Sequence, residues 1–282
     1  MFPTPVEKTS RAWQITYQSL LPVVLLIWLL PLISIAVFSI KPDADFTSGN
    51  YWGWPGSFEG FTNYGMVFFE SDMPRYLMNS ILITVPTVIG CIILSSMTGF
   101  ALGIYKFRSN LWIFFMFVAG NFVPFQILMV PVRDLTLDMG LYNTKTGLVL
   151  FHIAFQTGFC TLFMRNFIRA LPYELIEAAR VEGVAEWRIF WYVVLPLMKP
   201  ALAAMAVLVF TFIWNDYFWA VVLTQGVESQ PVTAGITSFN AQYRAAYHLM
   251  SAGSIVAALP PVAMFFLMQK HFIAGLTLGA VK

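Results

Sequence analysis

Charge is scarce in this sequence. Only 11% of its 282 residues are Asp, Glu, Lys or Arg, less than half of the roughly 25% found in soluble domains. Set beside 59% apolar and 17% aromatic residues, that shortage leaves more apolar side chain than one core can bury, which excludes an ordinary water-soluble domain. The two cysteines, Cys91 and Cys160, lie inside apolar runs, so a disulfide framework is excluded and both read as small packing residues. His152, His248 and His271 stand apart from any Cys or acid at ligand spacing, and no metal is assigned. No G-x-x-x-x-G-K-S/T segment is present, so this polypeptide does not bind ATP through a phosphate loop. A nucleophile paired with a base is missing too, and no residue is assigned as catalytic. Internal repeats and low-complexity tracts are also absent.

What the chain has instead is long apolar runs. A helix crossing a hydrocarbon core about 30 Å thick needs about 20 predominantly apolar residues. Six stretches qualify: Leu20–Ile40, Leu77–Leu102, Leu111–Val132, Gly147–Met164, Ala201–Leu223 and the shorter Ala252–Met268. The expectation is an all-α polytopic membrane protein with six transmembrane helices. Residues 1–19 form the N-terminal segment, 20–270 the membrane domain and 271–282 the C-terminal tail. The first run follows a long, proline-containing leader without a small-x-small cleavage site, and reads as a retained anchor. Pro22, Pro31, Pro86, Pro124, Pro260 and Pro261 interrupt the runs, which a bilayer tolerates where neighbouring protein or water re-satisfies the backbone. Ser95, Gly99 and Gly103 share one face of the second run, either as a small-xxx-small contact for another helix or as ordinary small residues.

Lys and Arg set the orientation, because they accumulate on the cytoplasmic side. With the N-terminus inside, eleven of the 16 bases are cytoplasmic, among them Lys106, Arg108, Arg165, Arg169, Arg180 and Arg188, while Lys41, Arg75, Arg133, Lys145 and Arg244 are outside. Both termini and the loop 165–200 are then expected in the cytoplasm. The outside segment 41–76 carries Tyr51, Trp52, Trp54 and Phe58 among Gly and Pro, as an interfacial aromatic belt or as rings for stacking on a sugar. A second outside loop, 225–250, holds Tyr243, Arg244, Tyr247 and His248, and reads as a solvated connector or a surface for a soluble partner.

The most polar stretch, ELIEAARVEGVAEWRIFWYVVLP at 174–196, lies in the cytoplasmic loop. Pro172 suits a helix start, and Glu174 and Glu177 complement the positive end of the helix dipole. Ala178, Ala179 and Gly183 form a strip almost free of side chain, open to close backbone approach. From Pro172 to Pro200 four acids face three bases, which disfavours docking on anionic lipid and favours a protein cleft.

These residues resemble the EAA loop of binding-protein-dependent ABC transporter permeases: Glu177-Ala178-Ala179, then Gly183, then nine residues on Val193, Val194, Leu195 and Pro196, with Val193 in place of the family's usual Ile. The likeness extends to the sugar-transporting branch of the maltose type at Asn79-Ser80, Gly140-Leu141, Asn143-Thr144, Trp214-Asn215-Asp216 and the ending Gly275 to Lys282. The resemblance implies a heteromer of two homologous permeases, two cytoplasmic ATPases that bind ATP and Mg, and an outside solute-binding protein. It places the assembly in lipid, in a bacterial inner membrane, and implies no nucleic acid. It makes Glu177, Ala178, Ala179, Gly183, Leu195 and Pro196 the ATPase-coupling residues, adds Gly279, Ala280, Val281 and Lys282 as a tail contact, and sets Asn240–His248 where the maltose type's last outside loop meets the binding protein.

Asp216 is the one acid inside an expected span, which is a functional hypothesis by default. With Trp214, Asn215 and, from the fourth span, Gln156, it is a candidate for the substrate pathway, since rings and hydrogen-bonding groups suit a sugar. The plainer reading is an interfacial Asp, or packing between two permeases. An ion-coupled secondary transporter is the rival function; it is disfavoured by the lack of repeats and of midplane ion sites.

Overall fold

The computed structural model describes residues 10–239 and 246–278. It divides into two units, residues 1–71 with 239–256, and residues 72–238 with 257–282. Every regular element among the described residues is helical.

The first unit contains α1 (Arg11–Phe38) and the folded segment that follows it. Helix α1 begins well before the expected Leu20, keeps Pro22 and Pro31 within it, and buries none of its side chains. Beyond it, α2 (Asp43–Thr47) and α3 (Gly60–Gly65) are held by polar ties. Lys41 is fully buried, donating from Nζ to the carbonyls of Asn50 (2.7 Å) and Tyr51 (3.1 Å). Asn63 Nδ2 donates to the carbonyls of Ser39 and Lys41, and the Gly56 amide donates to Asp45. The turn-rich stretch 41–71 is thus a folded segment rather than a loose loop, with the carbonyls of Lys41, Asn50, Tyr51 and Trp54 each met by a side-chain donor.

The second unit is built on two long helices, α4 (Met73–Ile104) and α7 (Lys145–Ile168). Thr144 starts α7 by accepting the Gly147 amide at 2.9 Å. The two helices approach closely along the Ser95, Gly99, Gly103 face. A Cβ on Gly99 would lie 2.9 Å from Met164 Cβ and 3.0 Å from the Arg165 amide, so only glycine permits this spacing. Thr98 and Thr161 bond across the contact at 2.7 Å, and Cys91 and Cys160 are both fully buried. Between apolar helices in lipid, such packing and small-residue contact supply the attraction that the hydrophobic effect supplies in water.

The expected third and fifth spans are not straight rods. The third is α5 (Asn110–Gly120) followed, through a turn at Pro124 and a short 3₁₀ turn, by α6 (Met129–Asp138), with an 89° bend. The fifth is α11 (Lys199–Trp214), which stops at Asn215 and resumes as α12 (Phe218–Leu223). Among the described residues four helices are individually long and apolar enough to cross a membrane, or up to six when 110–120 with 125–138, and 186–197 with 199–214, each count as one bent span. The last is α14 (Tyr247–Leu278), which starts at Tyr247, before the expected Ala252.

Residues 225–238, part of the loop read as a solvated connector or a partner surface, are tied to the helices beside them. Before α13 (Val232–Gly235), the chain is pinned to the N-terminal ends of α4 and α7. Asn79 Nδ2 donates to the carbonyls of Val227 (2.8 Å) and Gln230 (2.9 Å), and Ser80 Oγ accepts the Val232 amide. Asn143, at φ +58°, accepts the Gln225 amide and the Ser229 hydroxyl through Oδ1. The residue pairs Asn79-Ser80 and Asn143-Thr144 therefore share a structural job: clamping this segment and starting α7.

Candidate functional site

Two places in the second unit carry the residues singled out from sequence. The first is the polar segment that contains Glu177 and Gly183. Helix α8 (Tyr173–Val181) begins directly after Pro172, which stands at its N-cap, and has Glu174 in its first turn. It ends in a Schellman cap: the Val184 amide bonds the Ala179 carbonyl and the Gly183 amide bonds the Arg180 carbonyl, both at 3.0 Å. Gly183 takes φ +73°, the left-handed region that glycine enters at least cost.

After the turn, α9 (Glu186–Ile189) runs into a π-helical turn at Phe190–Val194 and the single turn α10 (Leu195–Leu197). A wider turn accommodates Pro196, whose nitrogen has no proton to donate. The chain then bends by 76° into α11. Leu195 and Pro196 thus shape the corner through which this segment joins the membrane helix.

One face of the segment is rooted in the membrane core. Ile176, Ile189, Phe190 and Val194 are buried in the same cluster as Phe100, Met164 and Ile168. Ala179 packs against that cluster, so the expected strip of small residues is divided: Ala179 turns inward, while Glu177, Ala178 and Gly183 remain exposed. Helical phase explains the split, since Ala179 lies three residues from buried Ile176. The exposed face also carries Val181, 89% accessible, and Trp187, 59% accessible.

An ion pair that sequence spacing does not announce joins the two arms of the turn. Arg180 Nε and Nη2 donate to the two carboxylate oxygens of Glu186 at 2.7 and 3.2 Å, and Tyr105, just after α4, donates to Glu186 Oε2 at 2.6 Å. Arg180 also donates to Tyr173 Oη at 3.1 Å. The hydrogen bond from Arg180 chiefly, with that from Tyr105, holds the Glu186 carboxyl below its usual range. Burial first, then the Glu186 hydrogen bond and charge, pushes Tyr105 up to about 12. Residues six apart do not meet on one helix; the turn at Gly183 brings these together.

The second place is the break between α11 and α12. Asp216 accepts the Ala220 amide at 3.0 Å and the Trp219 amide at 3.4 Å, capping α12. Its carboxylate lies 3.5 Å from His152 Nε2 of α7, whose ring is almost fully buried and has no hydrogen-bond partner on either nitrogen. The two residues are 64 positions apart, and nothing in their local sequence pairs them. They line a pocket of about 390 Å³ with Phe125, Phe155, Asn215, Tyr217, Phe218 and Trp219. Trp214 does not line it; it is buried, donating from Nε1 to the Ala257 carbonyl at 2.9 Å. Gln156 does not line it either, and is buried in α7 with its Nε2 unpartnered. The tail Gly279–Lys282 and residues 240–245 of the stretch expected to meet a binding protein are not among the described residues.

Comparison with known proteins bears on the stretch that holds both places. Residues 76–277, which span both places, match the family described as "Binding-protein-dependent transport system inner membrane component". The chain belongs to this family. As a member of it, the chain is a multi-pass transport component and not an enzyme. The arabinooligosaccharides transport system permease protein AraQ of Halalkalibacterium halodurans is 32% identical over 254 residues, covering 89% of this chain and 90% of its own. The melibiose/raffinose/stachyose import permease protein MelC of Bacillus subtilis is 30% identical, covering 90% of this chain and 91% of its own. Among solved structures, a chain of a bacterial ABC transporter involved in import of the acidic polysaccharide alginate superimposes with a TM-score of 0.82 at 25% identity, covering 95% of this chain and all of that one.

Proposed function

We propose that this chain is one of two homologous permease subunits of an ATP-driven importer of a sugar or sugar-derived solute, and that its turn at Gly183 couples it to a separate cytoplasmic ATPase. The observation that carries the reading is the architecture of the segment 173–197: a stiff, stapled turn, exposed on one face and continuous with the membrane core on the other. A rigid element of that kind transmits force and needs no chemistry of its own. ATP, bound with Mg by the ATPase subunits, supplies the energy. Their closing grips Glu177, Ala178 and Gly183 from outside, while Ile176, Ile189 and Val194 carry the movement into α4, α7 and α11. Leu195 and Pro196 hold the corner. The outcome is exchange between two states of the bundle, inward- and outward-facing.

A sugar is supported by the carbohydrates in the relatives' names and by the aromatic lining around Asp216. In this reading Asp216 and Asn215 line the pathway, while Trp214 and Gln156 support it from within the packing. The orientation follows the bias of Lys and Arg, with both termini and the coupling segment in the cytoplasm of a bacterial inner membrane. A solute-binding protein delivers the sugar at the outer face, and Gly279–Lys282 add a tail contact with the ATPase. The first test is co-purification in mild detergent followed by native mass spectrometry. A second polytopic permease and two copies of a soluble ATPase are expected; recovery of this chain alone, under conditions that preserve comparable assemblies, would sink the reading and favour a self-sufficient ion-coupled transporter.

A further inference from the structure

A recess of about 540 Å³ lies at one end of the second unit, bounded by the last residues of α4 (Leu102 to Ile104), the connection 105–109, the start of α5 and the end of α7. Four basic side chains line it, Lys106, Arg108, Arg165 and Arg169, and no acidic residue does. Among the described residues none of the four is in an ion pair. Arg165 and Arg169 are four apart on α7, so their like charges converge on one space.

Arg165 is the telling member. It is only 8% exposed, and a buried charge normally has a counter-charge. Its Nε donates to the Leu102 carbonyl at 3.1 Å and its guanidinium stacks on Phe114 at 3.9 Å, while its two terminal amino groups make no hydrogen bond among the described residues. The C-terminal end of α4 is capped by Asn110, whose Nδ2 donates to the carbonyls of Leu102 (3.0 Å) and of Tyr105 just beyond the helix (2.8 Å). Asn110 and Leu111, the first residues of α5, also line the recess, adding the positive end of that helix. Exposed Trp112 and Leu111 adjoin it, suited to the boundary where headgroups give way to acyl chains.

We infer that this recess binds the phosphate of an anionic phospholipid, with Arg165 and Arg169 on the phosphate oxygens and Lys106 and Arg108 at the rim. Guanidinium groups match phosphate geometry, and basic pockets between membrane helices suit such headgroups. The inference requires only that the chain spans a membrane, and is independent of the solute carried and of the ATPase.

The full chain in mild detergent is titrated with dioleoylphosphatidylglycerol or dioleoylphosphatidylcholine, and retained lipid is read by native mass spectrometry. Phosphatidylglycerol should be retained roughly tenfold or more over phosphatidylcholine, and each basic residue removed should lower its retention roughly fivefold. Arg165→Gln tests the centre of the recess. Because Arg165 also ties α7 to α4, the double variant Lys106→Gln/Arg108→Gln, changed only at exposed loop positions, must weaken retention without altering folding. Equal retention of the two lipids, or unchanged phosphatidylglycerol retention in the double variant, overturns the inference. So does inorganic phosphate alone raising thermal stability as much as the lipid does, which would mark a free-phosphate site. Loss of a co-purifying protein from the double variant with lipid retention intact also overturns it, and would assign the recess to a protein contact.

Discussion

At Gly183 the strain and the proposed docking role can be separated. No atom lies within 4 Å of a Cβ built there, so the only structural penalty of Gly183→Ala is its positive φ, about 1 kcal/mol. Gly183→Ala should fold and retain most uptake, whereas Gly183→Arg should insert normally yet lose uptake, because a long charged side chain would stand on the docking face. Equal loss in both variants would place the defect in the backbone turn. Glu186 adds a pH dependence. Its carboxyl is depressed by Arg180 and Tyr105, so the staple is complete above the ordinary carboxylate value of about 4.3 and is lost as pH falls through the lower folded value. A spin label at position 181 should loosen in Glu186→Gln at pH 7, and in the native sequence only at pH below the ordinary carboxylate range; mobility indifferent to both changes would remove the staple from the mechanism. The EAA spacing made Gly183 legible in the sequence. The Arg180–Glu186–Tyr105 tie was not, since it needs a turn and a second helix to assemble.

At the scale of elements, the packing of α4 on α7 is the most sensitive point. Gly99→Ala places a methyl against backbone as well as side chain, and overpacking of that kind costs about 1–3 kcal/mol. Its melting temperature in detergent should fall, and Gly99→Leu should not yield a monodisperse protein; unchanged melting of Gly99→Ala would show the two helices free to move apart. Helix α12 depends on Asp216 in a different way. Asp216→Ala removes the acceptor for the Ala220 and Trp219 amides, a capping loss of about 1 kcal/mol. Asp216→Asn keeps one acceptor and discards the charge beside His152. If the pocket takes part in transport, Asp216→Asn should melt close to the parent protein while uptake falls; normal uptake in that variant would leave Asp216 a helix cap only. Apolar runs marked where these helices lie, but not their breaks, because the bends at Pro124 and at Asn215 sit within composition that a hydropathy window reads as one span.

For the whole molecule, the decisive prediction concerns energy. Uptake by the intact complex should require ATP and survive collapse of the proton gradient. Uptake that follows the gradient and ignores ATP depletion would restore the ion-coupled alternative. On the proposed reading, the packing of segment 173–197 into the core shared by α4, α7 and α11 is the route by which ATP-driven movement at the turn would reach the bundle, since packed interiors switch between arrangements more readily than they deform.

The sequence by itself determined the solvent, the class and the family. Scarce charge and long apolar runs demand a membrane, helices are what an open chain can form there without stranding backbone groups, and the EAA spacing survives as local geometry because a Schellman turn needs only neighbouring residues. Tertiary structure alone decided which side of α8 is presented, which acid stands beside His152, and that Lys106, Arg108, Arg165 and Arg169 converge on one recess. Those features join residues many positions apart in sequence, and their meeting depends on how α4 and α7 pack, which no local pattern encodes.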